Sequence, residues 1–259
     1  MRFCSLGSGS GGNATLVEAS QGITRTRLLV DAGFSQRELV RRLARAGCAP
    51  EELDAIFITH EHGDHIGCAL GFAARHRLPL IMSRGTWRAV GDAGFDPALL
   101  CIAQCGEALP LGDLELRPFG VPHDANEPLQ LSLNDGARRL GVVTDLGCAP
   151  AAVAAALAGC QALLLECNHD EELLRNGPYH AALKKRILGS HGHLSNAAAA
   201  GLLARCLHPG LALVAAAHLS EHNNRPELAR AALSETLDSS GAEIRIAHPT
   251  EGLDWWTLI

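Results

Sequence analysis

Paired CxxC motifs are missing from this sequence. Its nine cysteines are an odd number, and their scatter fits neither a disulfide framework nor a cysteine zinc site. Cys4, Cys68, Cys148, Cys160 and Cys206 stand in apolar or alanine-rich surroundings and are expected to be buried thiols in a reducing cytosol. No apolar run is long enough to span a membrane; the stretch from 212 to 217 is too short and meets a histidine. The opening residues, MRFCSL, lead straight into glycines without the apolar core of a signal peptide, so a cytoplasmic location is expected. A basic excess is also missing. The formal net charge of -6 argues against a general, non-specific coat on nucleic acid, although a local patch could offset the global sign. Arg37, Arg41, Arg42 and Arg45 are candidates for such a patch on one helix, with a solvated helix face as the alternative. Neither an internal repeat nor a low-complexity linker divides the chain, and one domain over 1–259 is expected.

Short apolar runs bounded by turn residues predict strands at 2–6, 14–19, 27–30, 54–59, 114–119, 129–133, 140–144, 162–166, 211–217 and 243–246. Helices are expected from a Ser35 cap to about 46, where Gly47 stops the chain, and at 66–76, 149–157, 196–207 and 227–237. Between 80 and 105 the pattern is broken by Gly85, Gly91, Gly94 and Pro97. The loop Gly7-Ser8-Gly9-Ser10-Gly11-Gly12-Asn13 lacks the lysine of a phosphate-binding P-loop and the strand–turn–helix setting of GxGxxG. It reads as a tight turn between two strands. Gly9-Ser10-Gly11 is equally out of place for a nucleophile elbow.

The most informative residues form one run, HEHGDH, from His60 to His65, at the end of an apolar strand. Alternation along the chain lets His60 and His62 point one way while Asp64 and His65 turn to a neighbouring point. A polar loop with Asp64 as a helix cap would explain one residue and leave three unexplained. Asp31, Asp145 and His218 each follow a short apolar strand, and His123 follows Phe119-Gly120-Val121-Pro122. Packing gives no reason to end buried strands on ionisable groups. The arrangement expected is His60, His62 and His123 on one metal and Asp64, His65 and His218 on a second, with Asp145 between them. Imidazole and carboxylate suit Zn²⁺ and tolerate Mn²⁺. Asp31 is expected to hold the histidine loop by a hydrogen bond.

These residues resemble the metallo-β-lactamase superfamily. SLGSGSGGNA, LECNHD, GHLSN and HLSEHNN narrow the resemblance to the YycJ-type exonuclease group, related to ribonuclease Z and the phosphodiesterases, over 5 to about 226. The resemblance implies an α+β fold, an αββα sandwich with its site at the edge between two mixed sheets. It also implies two divalent metal ions and phosphodiester hydrolysis by a hydroxide held between them, acting 5′→3′ on DNA (or RNA) ends. A small-molecule hydrolase of the same fold, acting on a cyclic phosphodiester, lactone or thioester, is the alternative. Neither the long arm of ribonuclease Z nor a β-CASP insertion is present, and no RRM or KH signature reads bases.

By the same resemblance Asp64, His193 and Glu166 are the candidate catalytic residues. His193 stands just before a probable cap at Ser195, where free backbone N–H groups favour a phosphate oxygen; it would touch the phosphate or protonate the leaving oxygen, oriented by Glu166. His169, His180, His191 and His222 are weaker candidates, and His76 and His208 are expected to face solvent or cap a helix end. Arg84, Arg88, Arg175, Lys184, Lys185 and Arg186 could line a phosphate groove within the acidic surface.

Overall fold

The structure, a computed structural model, describes residues 1–91, 94–237 and 240–258. Fourteen strands are described, in two sheets of seven. The first runs in the order β14 (Leu253–Thr257), β1 (Arg2–Gly7), β2 (Ala14–Gln21), β3 (Thr24–Val30), β4 (Ala55–Phe57), β5 (Leu80–Ser83), β6 (Leu100–Ala103). The second runs β13 (Glu243–Ile246), β12 (Leu213–Ala217), β11 (Ala162–Glu166), β10 (Arg139–Val143), β9 (Leu129–Asn134), β8 (Leu114–Gly120), β7 (Leu109–Leu111). Both are mixed. Antiparallel pairing gives way to parallel pairing on either side of β3 in the first sheet and of β10 in the second.

Side-chain alternation makes the layers. Phe3, Val17, Leu28 and Phe57 point inward from the first sheet and meet Leu116, Leu131, Val142 and Leu164 of the second. The intervening residues of the first sheet, Leu16, Leu29 and Ile56, face outward onto α1 (Gln36–Arg45) and α3 (Ala69–His76) through Leu39, Leu43 and Phe72. Leu163, Leu165 and Val214 face outward from the second sheet onto α5 (Ala151–Leu157), α8 (Asn196–Cys206) and α9 (Pro226–Leu237). Helix, sheet, sheet and helix are thus stacked as the resemblance implied, an αββα sandwich.

Most predicted elements occur within two or three residues of their expected bounds. The exceptions have local causes. The helix expected at 66–76 is two pieces, α2 (Gly63–Ile66) and α3, because Gly67 adopts φ +34 and lies so close to Ala32 and Gly33 that a Cβ would collide with their backbone. The region 80–105 holds β5, α4 (Arg84–Val90) and β6, elements too short to show a period. Also unanticipated are β7, β14, α6 (Glu171–Asn176) and α7 (Ala181–Ile187). Cys68 and Cys148 are half-buried, whereas Cys4, Cys160 and Cys206 are buried as expected. No helix among the described residues is long and apolar enough to cross a membrane.

The expected arginine patch on α1 is not a free cationic surface. Ser35 caps the helix as predicted, but Arg42 is buried, its guanidinium 4.0 Å over the Phe34 ring and donating to the carbonyls of Leu6 and Pro249. Arg45 donates to Leu6 and Thr250 carbonyls. Arg37 and Arg41 lie in the open, the latter bound to Glu38. Two arginines therefore tie α1 to the end of β1 and the C-terminal segment. Arg42→Ala should cost ~2–4 kcal/mol, because it removes charge-assisted bonds to the Leu6 and Pro249 carbonyls and to Glu38 and leaves a gap beside Phe34. Arg41→Ala should leave the stability nearly unchanged, because its ion pair with Glu38 is open to solvent. Urea denaturation of both variants measures the difference.

Candidate metal centre

The strands that end on ionisable residues deliver them to one place. Asp31 follows β3, His60 lies just beyond β4, Asp145 follows β10, Glu166 closes β11 and His218 follows β12. Asp31, Asp145 and His218 take left-handed backbone at φ +62, +53 and +55. Such a turn costs energy for any residue but glycine, and it swings each side chain off its strand toward the seam. Asp64 and His65 come from α2, whose first residue is Gly63; Asp64 does not cap it. Gly33 packs so tightly under Asp64 that a Cβ would overlap its carbonyl.

Donor atoms converge in overlapping groups: His60, His62 and His123; Asp64, His65 and His218; His60, His65 and Asp145; and Asp145, Glu166, His193 and His218. In the first group, His62 Nδ1 lies 3.0 Å from His60 Nε2 and 3.2 Å from His123 Nε2. The edges of a tetrahedron around zinc are about 3.3–3.4 Å for bonds of ~2.0–2.1 Å, so the spacing is close to that of a ligand face.

Hydrogen bonds on the far side of each ring settle which nitrogen is bare. Thr59 Oγ1 donates to Asp31 and so accepts from His60 Nδ1 at 3.0 Å. His123 Nδ1 donates to the Gly192 carbonyl at 2.9 Å, and His65 Nδ1 to Asp31 Oδ2 at 2.8 Å. The Nε2 lone pairs of these three histidines consequently point inward. A single proton on His62 cannot satisfy both of its neighbours; a cation satisfies all three.

The second group makes the same demand. His65 Nε2 faces Asp145 Oδ2 at 2.8 Å and Asp64 Oδ2 at 3.5 Å; His218 Nε2 faces Asp64 Oδ2 at 3.2 Å. Asp145 Oδ2 is buried and, despite its closeness to His65, lacks a hydrogen bond of proper alignment. Asp31, Asp145 and Glu166 are almost fully buried, and Asp64 is mostly so. Carboxylates this far from water require nearby positive charge. Without a metal, protons supply it. Burial alone would strip His65 and His218, but Asp145 and the adjoining carboxylates outweigh it, lifting His65 well above its ordinary range and His218 to about 9. Burial likewise works against Asp145, yet His218 and His65 hold its pKa well below that of an exposed aspartate. His60 and His123, where burial dominates among other imidazoles, are pushed down and stay neutral. Neutral imidazoles beside ionised carboxylates form a donor set suited to divalent cations.

Glu166 Oε1 accepts from His193 Nδ1 at 2.7 Å, and Glu166 Oε2 accepts the backbone N–H groups of Leu146 and Leu194. Its own burial is overcome chiefly by His193, leaving its pKa at about 2. Burial acts to lower His193, and the charges of Glu166 and Asp145 raise it well above the ordinary value. Ser195 caps α8 as predicted, accepting from Ala198 N. A cavity of about 170 Å³ opens against His193 and is lined by Ser10, Asp124, Tyr179 and Arg186 among others.

The resemblance implied that the Ser10–Asn13 end of the glycine loop approaches the site, and Asn13 and Asn168 stand in the runs SLGSGSGGNA and LECNHD, but their partners show only in the structure. Asn13, within the glycine loop, donates to the Asp64 carbonyl and lies 3.1 Å from His65 Nε2. Ser8 Oγ accepts from His218 N, so this loop bolts Asp64 to His218. Thr59 and Asn168 orient His60 and His218. Of the minor histidines, His169 is buried, contrary to a surface reading; His180 caps α7 by accepting from Leu183 N. His208, expected at a helix end or in solvent, donates to the Cys160 carbonyl, and His76 stacks on Phe72 beside Glu51. The basic groove is only partly assembled. Arg186 and Lys185 border open cavities by the site, Lys184 donates to the Arg175 carbonyl, Arg175 pairs with Glu171, and Arg84 and Arg88 are exposed on α4.

The family described as the beta-lactamase superfamily domain matches residues 26–215. The exodeoxyribonuclease YycJ of Bacillus anthracis is 35% identical over 245 residues, covering 93% of this chain and 90% of that protein. The exodeoxyribonuclease WalJ of Streptococcus pneumoniae is 35% identical over 240 residues, covering 91% and 88%. Among solved structures, the metallo-β-lactamase fold protein YhfI of Bacillus subtilis aligns with a TM-score of 0.71 at 18% identity, covering 98% of each chain. The short form of human tRNase Z aligns at 0.68 and 15%, covering 100% of each. These two likenesses speak for the fold alone. With the histidine–carboxylate cluster lying at the seam of the two sheets, the sequence kinship places this chain in the metallo-β-lactamase superfamily, as a metal-dependent hydrolase homologous to the YycJ and WalJ exonucleases.

Proposed function

We propose that the protein removes nucleotides from DNA ends in the 5′→3′ direction, as one cytoplasmic domain spanning 1–259. The observation that carries the reading is His193, oriented by Glu166 at 2.7 Å and partly exposed at the wall of a cavity beside the metal cluster. Kinship with two exodeoxyribonucleases along nearly the full chain supports the substrate class.

In this reading His60, His62 and His123 hold one divalent cation and Asp64, His65 and His218 the other, with Asp145 shared. Two such ions, Zn²⁺ or Mn²⁺, would lower the pKa of a water and neutralise charge on the phosphate. The remaining work belongs to the chain. Asp31 fixes the tautomer of His65 and, through Thr59, of His60. Asp64, on α2, faces His218 Nε2 at 3.2 Å and is the least buried carboxylate of the four, so it would orient a water as well as hold a cation. Glu166 stays ionised and accepts the hydrogen bond from His193 Nδ1–H, which orients the imidazolium so that its Nε2–H can protonate the leaving oxygen. The pKa of His193, raised by Glu166 and Asp145 against its burial, keeps that proton in place at neutral pH.

Three outcomes follow. Asp145→Ala should lose at least one metal by plasma spectrometry, whereas His193→Ala should keep full metal content and lose about 10²–10⁴-fold in turnover; full occupancy and activity in Asp145→Ala would refute its assignment. Removal of metal by a chelator should abolish hydrolysis of bis(p-nitrophenyl) phosphate, with recovery on adding Zn²⁺ or Mn²⁺. A panel of end-labelled single- and double-stranded DNA and RNA, linear and closed-circular, should show loss of 5′ nucleotides from linear DNA. Binding should weaken with salt on a shallow slope, since Arg186 and Lys185 can meet only a few phosphates. Equal cleavage of closed circles would remove the exonuclease assignment. Rapid turnover of a small ester beside inert polymers would favour a small-molecule hydrolase.

A further inference from the structure

The segment joining α6 to α7 has no part in the metal cluster, yet it builds one wall of the cavity against His193. Tyr179, the only tyrosine in the chain, precedes α7, and Leu183 and Ile187 follow at helical spacing. All three line the cavity, so one face of this segment is aromatic and aliphatic. Ser10 and Ser220 stand among the lining residues with hydroxyl groups, and Arg186 closes the rim in an ion pair with Asp124 at 2.5 Å. The lining is therefore of two kinds: a ring and two aliphatic chains, and a polar part of two hydroxyls, the Asn168 amide, His193 and the Arg186–Asp124 pair.

Its size limits what can occupy it. About 170 Å³ is well under the roughly 300–1,000 Å³ of pockets that take drug-sized ligands. The cavity has room for about one base, with the attached sugar and phosphate left to its open side, and not for a continuous strand segment. The Tyr179 ring is held from outside by His222, with centroids 5.9 Å apart and planes at 82°, which gives a role to a histidine of HLSEHNN that lies apart from the metal cluster. A half-buried aromatic ring at the mouth of a site stacks any base, because every base offers a π-face.

The geometry points to a cup for the terminal nucleoside 5′-monophosphate, with Tyr179 as the platform for its base and Arg186 as the cation facing its phosphate. The inference rests on the nuclease reading for its biological meaning, but the cup itself is tested by binding alone. Calorimetry with metal-loaded protein compares dAMP with deoxyribose 5-phosphate, which carries the phosphate and no base. Wild-type protein should prefer dAMP by about 5- to 150-fold, the range expected for stacking one base. Tyr179→Ala should bring the ratio close to one, and Tyr179→Phe should restore it. Because each variant is judged by the ratio of two ligands, partial loss of folded protein does not imitate the result. Equal affinity for the two ligands in wild-type protein, or an unchanged ratio in Tyr179→Ala, overturns the cup whether or not DNA is cleaved. A Tyr179-dependent preference for dAMP in a protein that leaves DNA ends intact would uphold the cup and remove the exonuclease reading.

Discussion

Four carboxylates, Asp31, Asp64, Asp145 and Glu166, are gathered at one seam, and three of them have almost no contact with water. Bringing that much negative charge into a protein is prohibitive unless positive charge comes with it. Much of the site can be understood as the answer to this constraint. Histidines surround Asp145 on several sides, with His65, His193 and His218 within 3.6 Å and His123 at 4.0 Å. Where these imidazoles carry protons the cluster is balanced without metal. Where two divalent ions replace the protons, the same rings become ligands with their lone pairs already aimed. The centre is thus prepared for its cations by electrostatics that exist before they bind.

The sheet topology explains why the carboxylates meet. β3 and β10 each have an antiparallel neighbour on one side and a parallel neighbour on the other, and each is followed by an aspartate in left-handed conformation. The next parallel strand, β4 or β11, leads to His60 or ends on Glu166. Change-over points in mixed or parallel sheets open a crevice at the strand ends, and here two such points face each other across the sandwich. Asp31 and Asp145 occupy matching places in the two sheets although nothing in the residue sequence announces a repeat. One aspartate became the bracket for the histidine loop and the other the carboxylate at the centre.

What was legible in the sequence followed from physical strength of signal. His60 to His65 could be read because no packing requirement puts three histidines and an aspartate after a buried strand. Asp31, Asp145 and His218 could be read because each breaks an apolar run. Buried strands such as 162–166 and 243–246 were bounded by turn residues and came out where expected. Asn13 and Asn168 stood inside the quoted runs SLGSGSGGNA and LECNHD, yet their contacts to His65 and His218, some 50 residues away, leave no local pattern, and Thr59 beside His60 reads as one more strand residue. Arg42 misled for the converse reason: its spacing with Arg41 and Arg45 suggests a surface, while its true partners are backbone carbonyls at Leu6 and Pro249, far off along the chain. The short helices α6 and α7 lack the length over which a helical period shows.

The rings are not held equally. His60, His65 and His123 are fully enclosed, and the outer nitrogen of each is fixed by a hydroxyl, a carboxylate or a carbonyl. His62 differs. Its side chain keeps 29% of its exposure, and its outer Nε2 meets only Asp124, at 3.9 Å. Asp124 in turn is drawn outward by Arg186, whose guanidinium borders both neighbouring cavities. The cluster is closed on the side of Asp31 and more open on the side of His62. Rigid placement of the inner donors keeps the reacting geometry from having to form at each turnover. The half-exposed His62 therefore connects the inner donors to the Arg186–Asp124 pair at the rim, so any change at that pair is felt first at the least constrained ring of the cluster.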